Sequence, residues 1–92
     1  MRKTIDPFTE LLPKLDVHGM DRDYTIIKLK EFIDDSIKLH HYHICIIHGR
    51  GTGILKNSIH EYLRKDKRVE SFNVSIPNIG QTEIYLKSNN ME

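Results

Sequence analysis

The stretch IIHGRGTGILK, Ile46 to Lys56, carries three signals in one short run. An apolar run ends in His48, glycines stand at 49, 51 and 53, and a helix-like pattern starts at once. Nearly bare backbone between a strand and a helix lets another group come close to it. Just upstream, HICIIH (His43–His48) is apolar on both faces, as a central strand is. Downstream, Leu55, Ile59, Tyr62 and Leu63 recur at helical spacing until about Asp66. Strand, glycine loop and helix in that order point to an α/β fold.

A second junction of the same kind lies nearer the start. KLDVH (Lys14–His18) alternates, with Leu15 and Val17 on one side and Asp16 and His18 on the other. That is a short half-buried strand, and Gly19 ends it. Asp21 is placed to cap a helix running to about Leu39, with Ile26, Leu29, Ile33 and Ile37 spaced by three and four and Phe32 alongside. HHYH (His40–His43) breaks that pattern.

After the second helix, RVESFNVSI alternates through Phe72, Val74 and Ile76. PNIGQ supplies a turn, and TEIYLK alternates through Ile84 and Leu86. These two read as a hairpin. The order is β-α-β-α-β-β. It predicts a two-layer α/β sandwich in which a mixed four-stranded sheet carries two helices largely on one face. The first three strands should run parallel and the last antiparallel. Residues 1–13, with Pro7 and Pro13, read as an arm pinned by Phe8, Leu11 and Leu12. Residues 14–87 form the domain and 88–92 a polar tail.

Ninety-two residues make one core and leave no room for a second. The longest apolar run, ICII (Ile44–Ile47), falls far short of the ~20 residues of a membrane span, and no charged-then-apolar leader opens the chain. The expectation is a cytoplasmic protein with no membrane partner. Cys45 is the one cysteine and lies inside that run, so it reads as a buried, inert thiol in a reducing compartment. Net charge is only +1, yet Arg50, Lys56, Arg64, Lys65, Lys67 and Arg68 cluster against Glu61 and Asp66. A neutral total can hide a basic face.

If the first two strands are parallel, His18–Gly19 and His48–Gly49 both lie at carboxyl ends, the edge where α/β sheets bind ligands. Asp16 and His18 share a face, and a carboxylate beside an imidazole fixes its tautomer for acid–base work. The glycine loop lacks the G-x-x-x-x-G-K-[ST] of a Walker loop and the G-x-G-x-x-G of a dinucleotide fold. What survives is an anion cradle at a helix N-terminus. Gly49, Gly51 and Gly53 admit a phosphate, and Thr52 and Arg50 add donors; a plain tight turn is the alternative. His41 and His43 share a strand face but have no cysteine or carboxylate at ligand spacing, so no metal site is expected. His60 is expected at solvent or the cleft rim.

Leu15-Asp16-Val17-His18-Gly19 and His48-Gly49-Arg50-Gly51-Thr52-Gly53 together resemble the two marks of the Smr (small MutS-related) domain family, L-D-x-H-G and H-G-x-G-T-G. The similarity covers about residues 14–87, and the short flanks resemble a free-standing member. It implies a sandwich similar to the C-terminal domain of translation initiation factor 3, nucleic-acid binding and, in many members, endonuclease activity on DNA or RNA. Carried over, Asp16 and His18 belong to cleavage; His48, opposite His18 in the matching junction, is this reading's own candidate for a second acid–base partner. Residues 48–53, with Lys56, would contact phosphate. No cofactor or metal is expected: on RNA the 2′-hydroxyl could supply the nucleophile and remove the need for a metal-activated water, and the sequence offers no obvious acidic metal cluster. A non-cleaving adaptor that docks on nucleic acid or the ribosome is the alternative.

Overall fold

The computed structural model describes residues 11–76 and 79–88. Most of the expected arm at 1–13 and tail at 88–92 lies outside these residues, as do positions 77 and 78 of the hairpin turn. The elements are β1 (Lys14–Asp16), α1 (Arg22–Lys38), β2 (His43–Ile47), α2 (Ile54–Lys65), β3 (Val69–Val74) and β4 (Gln81–Leu86). The β-α-β-α-β-β order read from the sequence holds.

They build a mixed four-stranded sheet in the order β1-β2-β4-β3. β1 pairs parallel with β2, and β4 pairs antiparallel with both β2 and β3. The first three strands therefore point one way and β4 the other, as expected. The α/β two-layer assignment stands.

One face of the sheet is the core. Ile44 and Ile46 of β2, Ile84 and Leu86 of β4, and Val17 meet Leu29 and Ile33 of α1 and Ile59 and Leu63 of α2. Burying such side chains contributes about 1.5–3 kcal/mol each before chain entropy is counted. The opposite face is polar and paired with itself. Glu83 accepts hydrogen bonds from His43 Nε2 at 3.0 Å, Ser75 Oγ at 3.1 Å and Tyr85 OH at 3.3 Å. The His43 ring stacks on Tyr85 at 4.2 Å. This explains why only HICIIH looks central in sequence. β4 is equally internal, but polar residues that satisfy one another fill its second face.

The helix ends are set locally. Asp21 caps α1, its carboxylate accepting from the amides of Asp23 at 3.0 Å and Tyr24 at 3.1 Å; such a cap contributes about 1 kcal/mol. At the other end His40 takes the left-handed conformation with φ 62°. Its amide bonds to Ile37 O at 3.0 Å and that of His41 to Ser36 O at 2.7 Å, a two-bond closure of the last turn. The HHYH run thus closes a helix and enters β2. Among the described residues no cluster of side chains is arranged to hold a metal ion. Cys45 is fully buried, and burial pushes its thiol up to about 11, so it is inert as expected. No helix among the described residues is long and apolar enough to cross a membrane.

Candidate functional site

β1 and β2 are neighbours, so their carboxyl ends deliver His18–Gly19 and His48–Gly49 to one edge of the sheet. The two segments touch: a Cβ built on Gly49 would lie 3.3 Å from Cβ of His18. Gly49 also has φ 88°, a conformation that side chains disfavour, so glycine is required there twice over. Around this contact opens a cleft of about 450 Å³, lined by His18, Met20, Arg22, the loop from His48 to Gly53, and the first turn of α2 through Lys56.

At its mouth Asp16 and His18 form a dyad. Asp16 Oδ1 lies 2.6 Å from His18 Nδ1 and 3.1 Å from the His18 amide. The hydrogen bonds from His18 hold the Asp16 carboxyl below its ordinary value, so it is ionised and can only accept. The bonded nitrogen Nδ1 therefore carries a proton, so in the neutral imidazole the lone pair is on Nε2. Both side chains are exposed, 67% for His18 and 53% for Asp16.

His48 is placed differently. It lines the cleft but is only 5% exposed. Burial lowers its pKa, which favours the neutral ring. Nδ1 donates to the Gly49 carbonyl at 2.9 Å, which leaves Nε2 to accept from the Thr82 hydroxyl at 2.9 Å. The Thr82 oxygen, having donated its proton, accepts from His60 Nε2 at 2.8 Å. The chain His60–Thr82–His48–Gly49 fixes the start of the glycine loop to β4 and α2. His60, expected at solvent or the rim, is half-buried, with its ring edge-on to Phe72 at 4.8 Å. Helical position 60 lies one residue beyond Ile59 and one turn before Arg64, on the border of the buried stripe, where a sequence pattern does not assign a side.

Burial pushes the His60 pKa down to about 4. A folded-state value below the unfolded ~6.5 favours the neutral form, so its stabilisation is complete above pH 6.5 and lost as pH falls from there towards 4. Part-exposure discounts the effect, and the expected loss between pH 7 and 5 is about 1 kcal/mol. His60→Gln keeps an N–H donor for Thr82 and does not titrate. Thermal unfolding followed at pH 7, 6 and 5 should show a flatter pH dependence in this variant; an unchanged slope would mean that His60 is not the group responsible.

The loop itself has spent part of its hydrogen-bonding capacity. The amides of His48 and Gly49 both bond to Gly80 O, at 3.0 and 2.9 Å, so these two are not available to a ligand. Gly53, with φ 88°, begins α2 with no side-chain cap and no acidic residue in the first turn. Only the Thr52 hydroxyl approaches, 3.4 Å from the Ile54 amide. By contrast α1 carries its own anion, Asp21. The uncapped end of α2 presents partial positive charge to the cleft.

The basic cluster of the sequence divides. Arg68 is bound to Asp66 at 2.9 Å and to Asp34, tying the end of α2 to α1; this pairing takes Asp66 down to about 2. Arg64 lies over the Phe72 ring at 6.0 Å, and Lys65 pairs with Glu61 at 3.8 Å. Arg50 and Lys56 line the cleft and have no ion-pair partner among the described residues. The structure adds Arg22 and Met20 to the site. No sequence motif marks these two; the β1–α1 connection and the first residue of α1 line the same cleft as the glycine loop.

This arrangement can hold an anion beside an imidazole with an open nitrogen. The chain matches the Smr domain family over residues 15–86. It is 38% identical over 82 residues to an endonuclease MutS2 from Finegoldia magna, covering 86% of this chain and 10% of that protein. With an endonuclease MutS2 from Caldanaerobacter subterraneus it shares 43% over 60 residues, 65% of this chain and 8% of that one. The chain thus spans about a tenth of the length of these curated relatives. The Smr domain of Thermus thermophilus MutS2 superposes with a TM-score of 0.80 at 30% identity, covering 83% of this chain and 99% of that one. YdaL, a stand-alone small MutS-related protein from Escherichia coli, shares the fold, with a TM-score of 0.79 at 14% identity over 95% of this chain and 80% of its own. Two motifs meeting at one sheet edge, in a fold shared with these domains, place this chain in the Smr domain family.

Proposed function

We propose that this protein binds nucleic acid at the cleft and cleaves RNA there by acid–base chemistry at a phosphodiester. The observation that carries this reading is the Asp16–His18 dyad, with the free Nε2 of His18 beside an uncapped helix end, Arg50 and Lys56. Its relatives named endonuclease MutS2 support the same direction.

In this reading a backbone phosphate is held by Arg50, Lys56, the Thr52 hydroxyl and the open amides of the loop and first turn. His18 Nε2 takes the proton of the neighbouring 2′-hydroxyl while Asp16 stabilises the imidazolium that forms. The 2′-oxygen bonds to phosphorus and the bond from phosphorus to the 5′-oxygen breaks. The leaving oxygen takes a proton from water in the open cleft, and His18 returns its own proton to solvent. The products are a 2′,3′-cyclic phosphate and a 5′-hydroxyl. His48 enters as the residue that holds the loop, because a proton-transfer role would require it to give up a hydrogen bond inside the protein.

Incubation of the protein with labelled single-stranded RNA in EDTA tests the proposal. Fragments ending in a cyclic phosphate are expected, and a 2′-deoxy substitution at the cut position should block the cut. The absence of any product, with retained binding that weakens as salt rises, would favour a non-cleaving adaptor. The same residues fit that second reading, since the phosphate cradle serves both. In either, Arg50→Ala should weaken strand binding by about threefold to tenfold at moderate salt, measured by fluorescence anisotropy.

A further inference from the structure

A phosphate group occupies only a small part of a 450 Å³ cleft, which is within the ~300–1,000 Å³ typical of sites for whole small molecules. Some of the lining also offers a phosphate nothing. Met20, from the β1–α1 connection, and Ile54, the first residue of α2, both face into the cleft and stay 38% and 59% exposed. Leu55 lies beside them. At the first position of a helix an acidic or polar residue would stabilise the helix, yet α2 has an isoleucine there and no acid in the turn. The result is apolar surface set directly against Arg22, Arg50 and Lys56. That combination matches the two halves of a nucleotide, an anion and a flat apolar ring.

We infer that the cleft binds a backbone phosphate together with the unpaired base next to it, Met20 and Ile54 packing on the base. This rests on the nucleic-acid reading above and adds the form of the strand. In a duplex both faces of a base are already stacked, so only a single-stranded or extruded base can present a face to these side chains. Contact with a thioether and an aliphatic chain involves no hydrogen-bond readout, and the flexible Met20 adapts to purine or pyrimidine. The site therefore selects for unpaired strand with little preference for sequence.

Binding of two hexamers to the full chain in EDTA decides it. One is single-stranded 2′-O-methyl RNA, which lacks the nucleophilic hydroxyl. The other has the same number of phosphates and no bases. The electrostatic contribution is equal in both, so their difference reports the base. The base-containing hexamer should bind about tenfold tighter, and tighter by a similar factor than a duplex of the same sequence. The double variant M20S/I54S should lose this preference and keep its affinity for the abasic strand. Equal binding of the two hexamers by the wild type would overturn the inference, leaving the apolar pair to contact some other partner, and so would a preference that survives in the double variant. Failure to bind either hexamer would overturn the phosphate reading itself.

Discussion

Replacing His18 by alanine should lower the rate of RNA cleavage by about 10²–10⁴-fold, the range a positioned acid–base group supplies. Strand affinity should change little, because the phosphate is held by Arg50, Lys56 and the α2 terminus and not by the dyad. The expected signature is therefore a loss in kcat with KM nearly unchanged. Asp16→Asn separates the two parts of the dyad. An asparagine oxygen can still accept from His18 Nδ1, now 2.6 Å from the carboxylate, but it brings no charge to the imidazolium. The dyad is exposed, so water screens that charge, and the cost should be smaller, about tenfold. Equal cleavage by wild type and His18→Ala would remove the dyad from the mechanism.

The second large effect is expected at the point where the two motifs touch. Gly49→Ala forces a side chain into φ 88° and sets its Cβ 3.3 Å from that of His18. The backbone conformation alone costs about 1–2 kcal/mol, and the contact adds to it because β1 and β2 are held by their pairing. A loss of about 2 kcal/mol, or roughly 10 °C in Tm for a domain of this size, is the expected result. Relief of the contact also displaces His18, so cleavage should fall even where the variant remains folded. Gly51→Ala is the matched control, since nothing lies within 4 Å of its built Cβ and its φ is not positive. Gly19, with φ 78° and nothing within 4 Å, should fall between them. Thermal unfolding of the three alanine variants should give the order Gly49, Gly19, Gly51 from most to least harmful. A loss at Gly51 as large as at Gly49 would show that the loop tolerates no side chain for reasons other than this contact.

Much of the fold was legible because its signals are local. The capping geometry of Asp21, the alternation of Leu15 and Val17, and the three- and four-residue spacing of Leu29, Ile33, Ile59 and Leu63 each depend on neighbours a few positions away. The parallel pairing of β1 and β2 followed from chirality and connection length. The internal place of β4 was not legible, because Glu83 is satisfied by His43 and Ser75, which are distant in the chain or across a turn. The division of the basic cluster was not legible for a similar reason: Arg68 finds Asp34 on another helix, and no one-dimensional pattern distinguishes a paired arginine from a free one.

By itself, then, the sequence determined the order of elements, the two His–Gly junctions and the identity of the Asp16–His18 pair, since residues two apart in extended chain share a side; in the structure β1 ends at Asp16 and His18 follows in the turn. Tertiary structure alone decided what each histidine can do. His18 and His48 have the same local context, yet one ends at the open mouth of the cleft and the other is enclosed by Thr82 and the Gly49 carbonyl. Burial and hydrogen-bond partners set the availability of an imidazole, and for His48 the Thr82 hydroxyl that occupies Nε2 comes from β4, far away in the chain. The same holds for Met20, Arg22 and Ile54, whose meeting at one cleft depends on the packing of α1 and α2 over the sheet.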